Sequence, residues 1–124
     1  MEGAGGLLSP FLEEKSLADL ICITGGAALV VVHSRLGAIN HAALTLEALQ
    51  GRDIPTICLV INEMEDEKGE TSPTSRLVLE TNREALAKVS ERFKVKSYLN
   101  SELLSENKGM ISPVCATIKG WLGD

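Results

Sequence analysis

The sequence predicts an α/β fold in which a parallel sheet is flanked by helices. Two apolar runs of strand length, residues 27–32 and 56–61, stand on either side of a segment with helical periodicity. Strand, helix and strand in this order form a βαβ unit, whose two strands are parallel and whose crossover is right-handed. The segment between the strands carries one apolar helical face, made of Ile39, Ala42, Leu46 and Leu49.

Length and composition limit the classes of protein to consider. The chain has 124 residues, 44% of them hydrophobic and 23% charged, which fits a single soluble domain over residues 1–124. A net charge of −5 without a basic cluster argues against nucleic acid as a partner. The longest apolar run, residues 27–32, is far too short to cross a membrane, and no signal peptide is recognisable.

Three isolated cysteines, Cys22, Cys58 and Cys115, lie among apolar residues. An odd and widely spaced set suggests neither a disulfide framework nor a zinc site. We therefore expect buried thiols and a cytoplasmic location.

The first helix and strand have clear boundaries. Leu7–Lys15 is expected to be a connection, after which Ser16 and Asp19 predict a capping box at a helix start. Gly25 and its neighbouring glycine end that helix. The strand at residues 27–32 shows no alternation, so we expect it to be covered on both faces.

The second half of the chain is less regular. Residues 63–74 are polar and acidic and predict a solvated loop, and the short stretch from residue 77 to 79 suits a helical turn or a strand equally. A capping box of Thr81 and Glu84 predicts a helix to about residue 93, followed by a strand at residues 95–99. Ser112 and the proline after it predict a last short helix.

Candidate binding residues fall where strands end. Residues 34–40 follow the first strand and Asn62 ends the second, so both belong to one edge of the predicted sheet. Residues 2–6 have three glycines in four positions after Glu2, which leaves amides open to a phosphate and a carboxylate suited to Mg²⁺. By residue chemistry alone a frayed chain start explains the glycines better. For His33 and His41, metal binding is the weaker alternative to packing.

Two motifs resemble a known family. The segment RLGAINHAALTLEAL, residues 35–49, is similar to the Gly-x-Ile-Asn-His segment that dethiobiotin synthetases carry after a buried strand. Residues 2–8 resemble the Glu-Gly-Ala-Gly-Gly motif of the same family, in the same order and about thirty residues earlier. The resemblance runs from Met1 to about residue 93 and implies a partial P-loop NTPase-like domain, a Rossmann-like three-layer fold.

The resemblance implies a reaction. In this family carbon dioxide forms a carbamate on an amine of 7,8-diaminopelargonate, ATP phosphorylates the carbamate, and the second amine closes a cyclic urea. ATP and Mg²⁺ are the implied cofactors, with Glu2 as the metal ligand. Asn62 matches the asparagine that reads the adenine edge. The residues beside the phosphates and reacting groups are implied to be Gly3, Ala4, Gly5 and Gly6.

The same resemblance implies a homodimer formed through residues 37–49. In the family, the loop at this place receives the substrate carboxylate of the other subunit, and a helix start with free amides suits a carboxylate. The matching residues are Gly37, Ala38, Ile39 and Asn40.

The sequence departs from the family in three ways. Ala38 stands where many relatives have threonine or cysteine, and Met1 replaces an apolar strand residue. The 124 residues contain no G-x-x-x-x-G-K-[ST] motif, and in the family this P-loop, with the lysine that works at the substrate, precedes the Glu-Gly-Ala-Gly-Gly motif. We therefore expect the C-terminal half of a dethiobiotin synthetase, without catalytic side chains of its own and without ATP turnover.

Two alternatives remain open from the sequence. One is a non-catalytic, dimerising remnant in which residues 39–49 survive only as a dimer surface. The other is a different P-loop relative, such as a cobyrinate amidotransferase, although those proteins lack the Gly-x-Ile-Asn-His segment.

Overall fold

The computed structural model describes residues 5–64 and 73–104, and four helices and five strands lie in that part of the chain. The strands are β1 (Pro10–Leu12), β2 (Lys15–Ser16), β3 (Ala28–His33), β4 (Thr56–Asn62) and β5 (Ser97–Leu99). The helices are α1 (Leu17–Thr24), α2 (Ala38–Gln50), α3 (Pro73–Arg92) and α4 (Asn100–Leu104).

A parallel sheet in the order β3-β4-β5 carries the fold. Val30 pairs with Leu59 and Val32 with Ile61, so the even-numbered side chains of β3 share a face with the odd-numbered side chains of β4. The predicted βαβ unit and the third strand are confirmed, and with them the parallel α/β fold with flanking helices. Because the strands are parallel, their carboxyl ends all lie at one edge of the sheet.

Two helices cover one face of this sheet and form the main core. Leu86 of α3 and Ala42 of α2 are buried against Val32, Leu59 and Ile61. A second cluster connects α1 to the start of the sheet through Ala18, Ala28, Leu49 and Ile54. The predicted buried face of α2 is confirmed at residues 42, 46 and 49, whereas Ile39 is half-buried beside the main core.

The capping box of α1 is confirmed. The Asp19 carboxylate accepts hydrogen bonds from the Ser16 backbone N–H at 2.7 Å and from its hydroxyl at 2.8 Å. The helix ends at Gly25, whose φ of +67° lies in the left-handed region. The predicted connection at residues 7–15 contains more order than expected, because β1 and β2 form a small antiparallel hairpin there.

The expectation that residues 27–32 are covered on both faces is wrong. Leu29 and Val31 are 43% and 60% exposed, whereas Ala28 and Val32 on the other face are buried. β3 also lies at the edge of the described sheet, where it pairs only with β4. An unbroken apolar run therefore did not indicate double burial in this strand.

The predicted boundary at Thr81 and Glu84 is also wrong. Helix α3 begins at Pro73 and passes through both residues to Arg92. Residues 73 and 74 of the predicted loop are therefore helical, with proline at a position that suits it, and the ambiguous stretch 77–79 is helical as well. Residues 65–72 of that loop lie outside the described residues. The helix predicted from Ser112 lies outside the described residues.

The thiols differ in burial. Cys58 is fully buried, and burial raises the pKa of its thiol above the ordinary value. Cys22 is exposed, so the prediction of a buried thiol is wrong there, and Cys115 lies outside the described residues. Over residues 5–64 and 73–104, the helices are too short or too polar to cross a membrane.

Candidate functional site

The carboxyl ends of β3 and β4 bring the predicted carboxylate loop and Asn62 to one edge of the sheet. His33 lies opposite Asn62 in the strand register, and the Ser34 N–H donates to the Asn62 carbonyl at 2.8 Å. Helix α2 begins four residues after Ser34, so Asn40 in its first turn belongs to the same edge. The sequence predicted this arrangement.

The first turn of α2 has two unused donors. The Ala38 N–H donates to the Arg35 carbonyl and the His41 N–H to the Gly37 carbonyl, each at 3.0 Å. Within the described residues no hydrogen bond is formed by the N–H groups of Ile39 and Asn40, and no side chain caps the helix. Free amides at the positive end of a 13-residue helix favour a carboxylate or another anion.

Gly37 makes this helix start possible. Its φ is +91°, a left-handed value that costs most other residues free energy. A Cβ at this position would lie 3.9 Å from the His41 ring, which is ordinary contact. The glycine is therefore required by its backbone conformation and not by lack of space.

The residue after Asn62 is fixed by two other elements. The Glu63 N–H donates to Asn100 Oδ1 at 3.1 Å, and Asn100 Nδ2 donates back to the Glu63 carbonyl at 2.9 Å. The Glu63 carboxylate in turn forms an ion pair with the Arg83 guanidinium, in which Glu63 Oε1 lies 2.8 Å from Arg83 Nη2. These hydrogen bonds raise the pKa of Arg83 above its ordinary value. Asn62 itself is half-buried, and its side-chain amide has no hydrogen-bond partner among the described residues.

A buried polar residue behind this edge, Asn82, and its contact with Ser34 were missed by the sequence reasoning. Asn82 of α3 and Ser34 are each only 6% exposed, and Asn82 Nδ2 donates to Ser34 Oγ at 3.2 Å and to the Arg35 carbonyl at 3.1 Å. A signal existed in the sequence, because Asn82 stands four residues before Leu86 on the buried face of α3. A polar residue at that place needs buried partners.

The glycine-rich segment is placed only in part. Glu2, Gly3 and Ala4 lie outside the described residues. Gly5 and Gly6 have left-handed φ values of +88° and +108°. Gly6 lines a cavity of about 630 Å³ beside α1 and the first residues of β3, and neither Asn62 nor residues 34–40 line it. This cavity therefore does not connect Gly6 to the strand-end residues.

His33 and His41 share a groove of about 270 Å³ between β3 and α2. Arg35 lines the same groove, and a guanidinium disfavours a bound cation there. Residues 5–64 and 73–104 hold no cluster of three or more His, Cys, Asp or Glu side chains suited to a metal ion. The one metal ligand predicted from the sequence, Glu2, is not among these residues.

Comparison with known proteins identifies the family. A family model described as an AAA domain matches residues 1–110. The chain belongs to this AAA domain family. The match extends past residue 93, where the sequence resemblance was expected to end, and it confirms the P-loop NTPase-like fold class.

Among curated proteins, this AAA domain chain is similar to enzymes named ATP-dependent dethiobiotin synthetase BioD. It is 41% identical to the one from Anaeromyxobacter sp. (strain Fw109-5) over 93 residues, which are 73% of this chain and 41% of the relative. The enzyme from Neorickettsia sennetsu is 38% identical over 86% of this chain and 49% of its own length. The enzyme from Mycobacterium tuberculosis (strain ATCC 25177 / H37Ra) is 42% identical over 73% of this chain and 37% of its own length.

These comparisons confirm the resemblance to dethiobiotin synthetases. The chain spans less than half the length of each of these relatives.

Proposed function

We propose that this chain provides the C-terminal part of an ATP-dependent dethiobiotin synthetase, a ligase of biotin biosynthesis. The observation that supports it best is that the free Ile39 and Asn40 amides and Asn62 lie at the same edge of the sheet. At that edge lie backbone N–H donors suited to a carboxylate and an amide side chain able to recognise adenine. The substrates in this proposal are 7,8-diaminopelargonate, carbon dioxide and ATP.

The carboxylate of diaminopelargonate binds at the start of α2 in this proposal. The Ile39 and Asn40 N–H groups donate to it, and the helix dipole adds attraction. Gly37 supplies the left-handed turn, and the Ala38 N–H stabilises that turn through Arg35. This part of the chain binds and orients the substrate, and positioning of this kind lowers the barrier to ring closure.

Asn62 recognises the nucleotide. Its side-chain amide offers both a donor and an acceptor, which match the N6 amino group and a ring nitrogen of adenine. The backbone after it is fixed by Asn100, so the Asn62 side chain leaves a rigid strand end. The assignments of Gly3, Ala4, Gly5 and Gly6 to the phosphates, and of Glu2 to Mg²⁺, rest on the motif resemblance. Bound Mg²⁺ neutralises phosphate charge in this class of reaction.

We also propose a homodimer through residues 37–49. Leu44 is 54% exposed in the middle of α2, and Leu36 just before the helix is 92% exposed. Burial of these two side chains in a dimer would remove apolar surface from water. In the dimer, the start of α2 from one subunit faces the substrate bound by its partner. The free thiols of Cys22 and Cys58 favour a reducing compartment, and we propose the cytoplasm.

Catalysis needs groups that the 124 residues do not contain. No G-x-x-x-x-G-K-[ST] sequence is present, so the chain has neither the amide cradle for the β-phosphate nor its lysine. We therefore expect substrate binding without ATP turnover by this chain alone.

The test is an NMR titration of the ¹⁵N-labelled chain with 7,8-diaminopelargonate, followed at the amides of Ile39 and Asn40. We expect both resonances to shift with the free acid and not with its methyl ester, which lacks the carboxylate. Failure of both to shift would contradict the carboxylate assignment. Dethiobiotin formation after addition of bicarbonate and Mg-ATP would contradict the expected inactivity.

The rival function is a non-catalytic dimerising remnant. It is favoured if sedimentation shows a dimer while neither diaminopelargonate nor Mg-ATP changes any resonance at the sheet edge. Binding of diaminopelargonate excludes it.

A further inference from the structure

We propose that Asn82 is a positioning residue for the carboxylate site at the start of α2. Its buried side-chain amide holds the turn between β3 and α2 in the shape that leaves the Ile39 and Asn40 N–H groups free. The proposal rests on the proposed function, because it assigns Asn82 to the same substrate site.

Both N–H bonds of the Asn82 side chain are used at this turn. Asn82 Nδ2 lies 3.2 Å from Ser34 Oγ and 3.1 Å from the Arg35 carbonyl oxygen. Asn82 and Ser34 are each 6% exposed, so water has little access to the contact between them. A helix 47 residues further along the chain thus reaches the carbonyl that begins the turn.

The Arg35 carbonyl is held from two sides. It accepts the Ala38 N–H at 3.0 Å as well as the Asn82 amide. The first bond closes the turn and occupies the Ala38 N–H, so the free donors are those of the next two residues. Without Asn82, the Arg35 carbonyl would be held only by the Ala38 N–H. The turn that this bond closes contains Gly37 at a left-handed φ of +91°.

The same contacts connect the two halves of the proposed site. Ser34 accepts from Asn82 through its hydroxyl, and its backbone N–H donates to the Asn62 carbonyl at 2.8 Å. Asn82 therefore fixes the start of α2 relative to the strand end that carries Asn62. In the proposed dimer, this distance determines where the start of α2 meets the substrate bound by the partner subunit.

A buried asparagine could also be needed only for stability, and helix α3 offers a matched control. Ser90 lies eight residues after Asn82 on the same helix and is 2% exposed. Its hydroxyl donates to the Ala87 carbonyl and shares a second hydrogen bond with the Ser97 hydroxyl, away from the turn. Ser90→Ala and Asn82→Ala both remove buried hydrogen bonds from α3. Only Asn82→Ala removes one of the two hydrogen bonds that the Arg35 carbonyl accepts.

The experiment compares the wild-type chain with Asn82→Ala, Asn82→Asp and Ser90→Ala. Amide hydrogen exchange is measured at Ser34 and Ala38, and affinity for 7,8-diaminopelargonate is measured from the Ile39 and Asn40 shifts. We expect Asn82→Ala to speed exchange at Ala38 selectively and to weaken binding about tenfold, the loss expected for one well-placed hydrogen bond. Asn82→Asp keeps the volume but places an acceptor against the Arg35 carbonyl, so we expect a similar loss.

Ser90→Ala is expected to lower stability without changing either measurement at the turn. A milder variant, Ser34→Ala, removes the bond to Ser34 Oγ and keeps the bond from Asn82 to the Arg35 carbonyl. If Asn82→Ala does not fold, Ser34→Ala is compared with the wild-type chain and with Ser90→Ala. We expect it to weaken binding by less than about tenfold while Ser90→Ala leaves binding unchanged, and equal binding by both variants would overturn the role.

Equal effects of the Asn82 and Ser90 variants at Ala38 would overturn the positioning role. If the wild-type chain shows no shift with diaminopelargonate, the proposed function fails. The hydrogen exchange at Ala38 then decides by itself whether Asn82 holds the turn.

Discussion

Arg83 on α3 and Glu63 just after β4 form a bidentate ion pair. Arg83 Nε lies 2.9 and 2.8 Å from the two carboxylate oxygens, and Nη2 lies 2.8 Å from one of them. The Glu63 side chain is only 10% exposed, whereas that of Arg83 is 50% exposed. The pair joins helix α3 to the strand end beside Asn62, so it contributes to the shape of the site as well as to stability.

Removing the guanidinium should therefore be costly. We expect Arg83→Met to lower the free energy of unfolding by roughly 1–3 kcal/mol, because a mostly buried carboxylate loses its charged hydrogen bonds. The matched control is Lys88→Met, which removes an exposed partner of Glu84 on the same helix. That change should cost at most about 0.5 kcal/mol. Urea denaturation measures both, and equal costs would contradict the importance of the Arg83–Glu63 pair.

The left-handed backbone of Gly37 predicts a second cost. We expect Gly37→Ala to destabilise the chain by about 1–2 kcal/mol, because a Cβ disfavours the φ of +91°. Gly26→Ala is the control, since a Cβ there meets no atom closer than 3.5 Å and the backbone is not left-handed. Thermal unfolding should separate the two variants. A Gly37→Ala chain as stable as wild type would show that the turn does not require glycine.

The main core depends on Leu86, which is fully buried between α2 and the sheet. Leu86→Ala should lower the free energy of unfolding by about 2–5 kcal/mol, through lost transfer free energy and the cavity left behind. Leu77 on the same helix is 63% exposed, and Leu77→Ala should change stability by less than about 0.5 kcal/mol. Denaturant titration of the two variants tests whether α3 packs as described.

The capping box of α1 makes stability depend on pH. Hydrogen bonds from the Ser16 backbone and hydroxyl lower the pKa of Asp19 in the folded chain. Its contribution is therefore complete above the ordinary aspartate pKa of about 3.9 and is lost as pH falls through the lowered value. Asp19→Asn keeps an acceptor for the Ser16 N–H but does not titrate.

We expect the wild-type chain to be more stable than Asp19→Asn at pH 7 and to lose that advantage at acidic pH. Unfolding measured at several pH values from 7 down to about 2 gives the difference directly, because the loss occurs below the ordinary aspartate pKa. A difference that does not change with pH would contradict the role of the Asp19 charge.

The open face of β3 predicts self-association. Leu29 and Val31 are exposed on a strand that has one partner strand in the described sheet, and such edges pair with other chains. We expect Val31→Lys to reduce aggregation measured by light scattering. Ile23→Lys changes a residue that is 71% exposed on α1, away from the sheet, and should have a smaller effect. An equal effect would indicate general surface hydrophobicity instead of strand pairing.

Much of the fold could be predicted from the sequence because its signals are local. Residues three or four apart share a helical face, and a serine with an aspartate three residues on caps a helix. These rules predicted α2, the start and end of α1, and the parallel pair of β3 and β4. They failed at Thr81, because the residue pattern of a capping box can also occur in the middle of a longer helix. The neighbouring residues in the sequence do not show which of the two cases applies.

The sequence by itself determined the family resemblance, the βαβ unit, and the presence of residues 37–40 and Asn62 at one edge of the sheet. Tertiary structure decided which side chains hold that edge together. Asn82 meets Ser34 across 48 residues, Asn100 meets Glu63 across 37, and Arg83 meets Glu63 across 20. Such contacts follow from strand register and from the packing of α3 on the sheet, which no local pattern records. The half-open face of β3 has the same origin, because burial depends on what packs against a strand and not on its own residues.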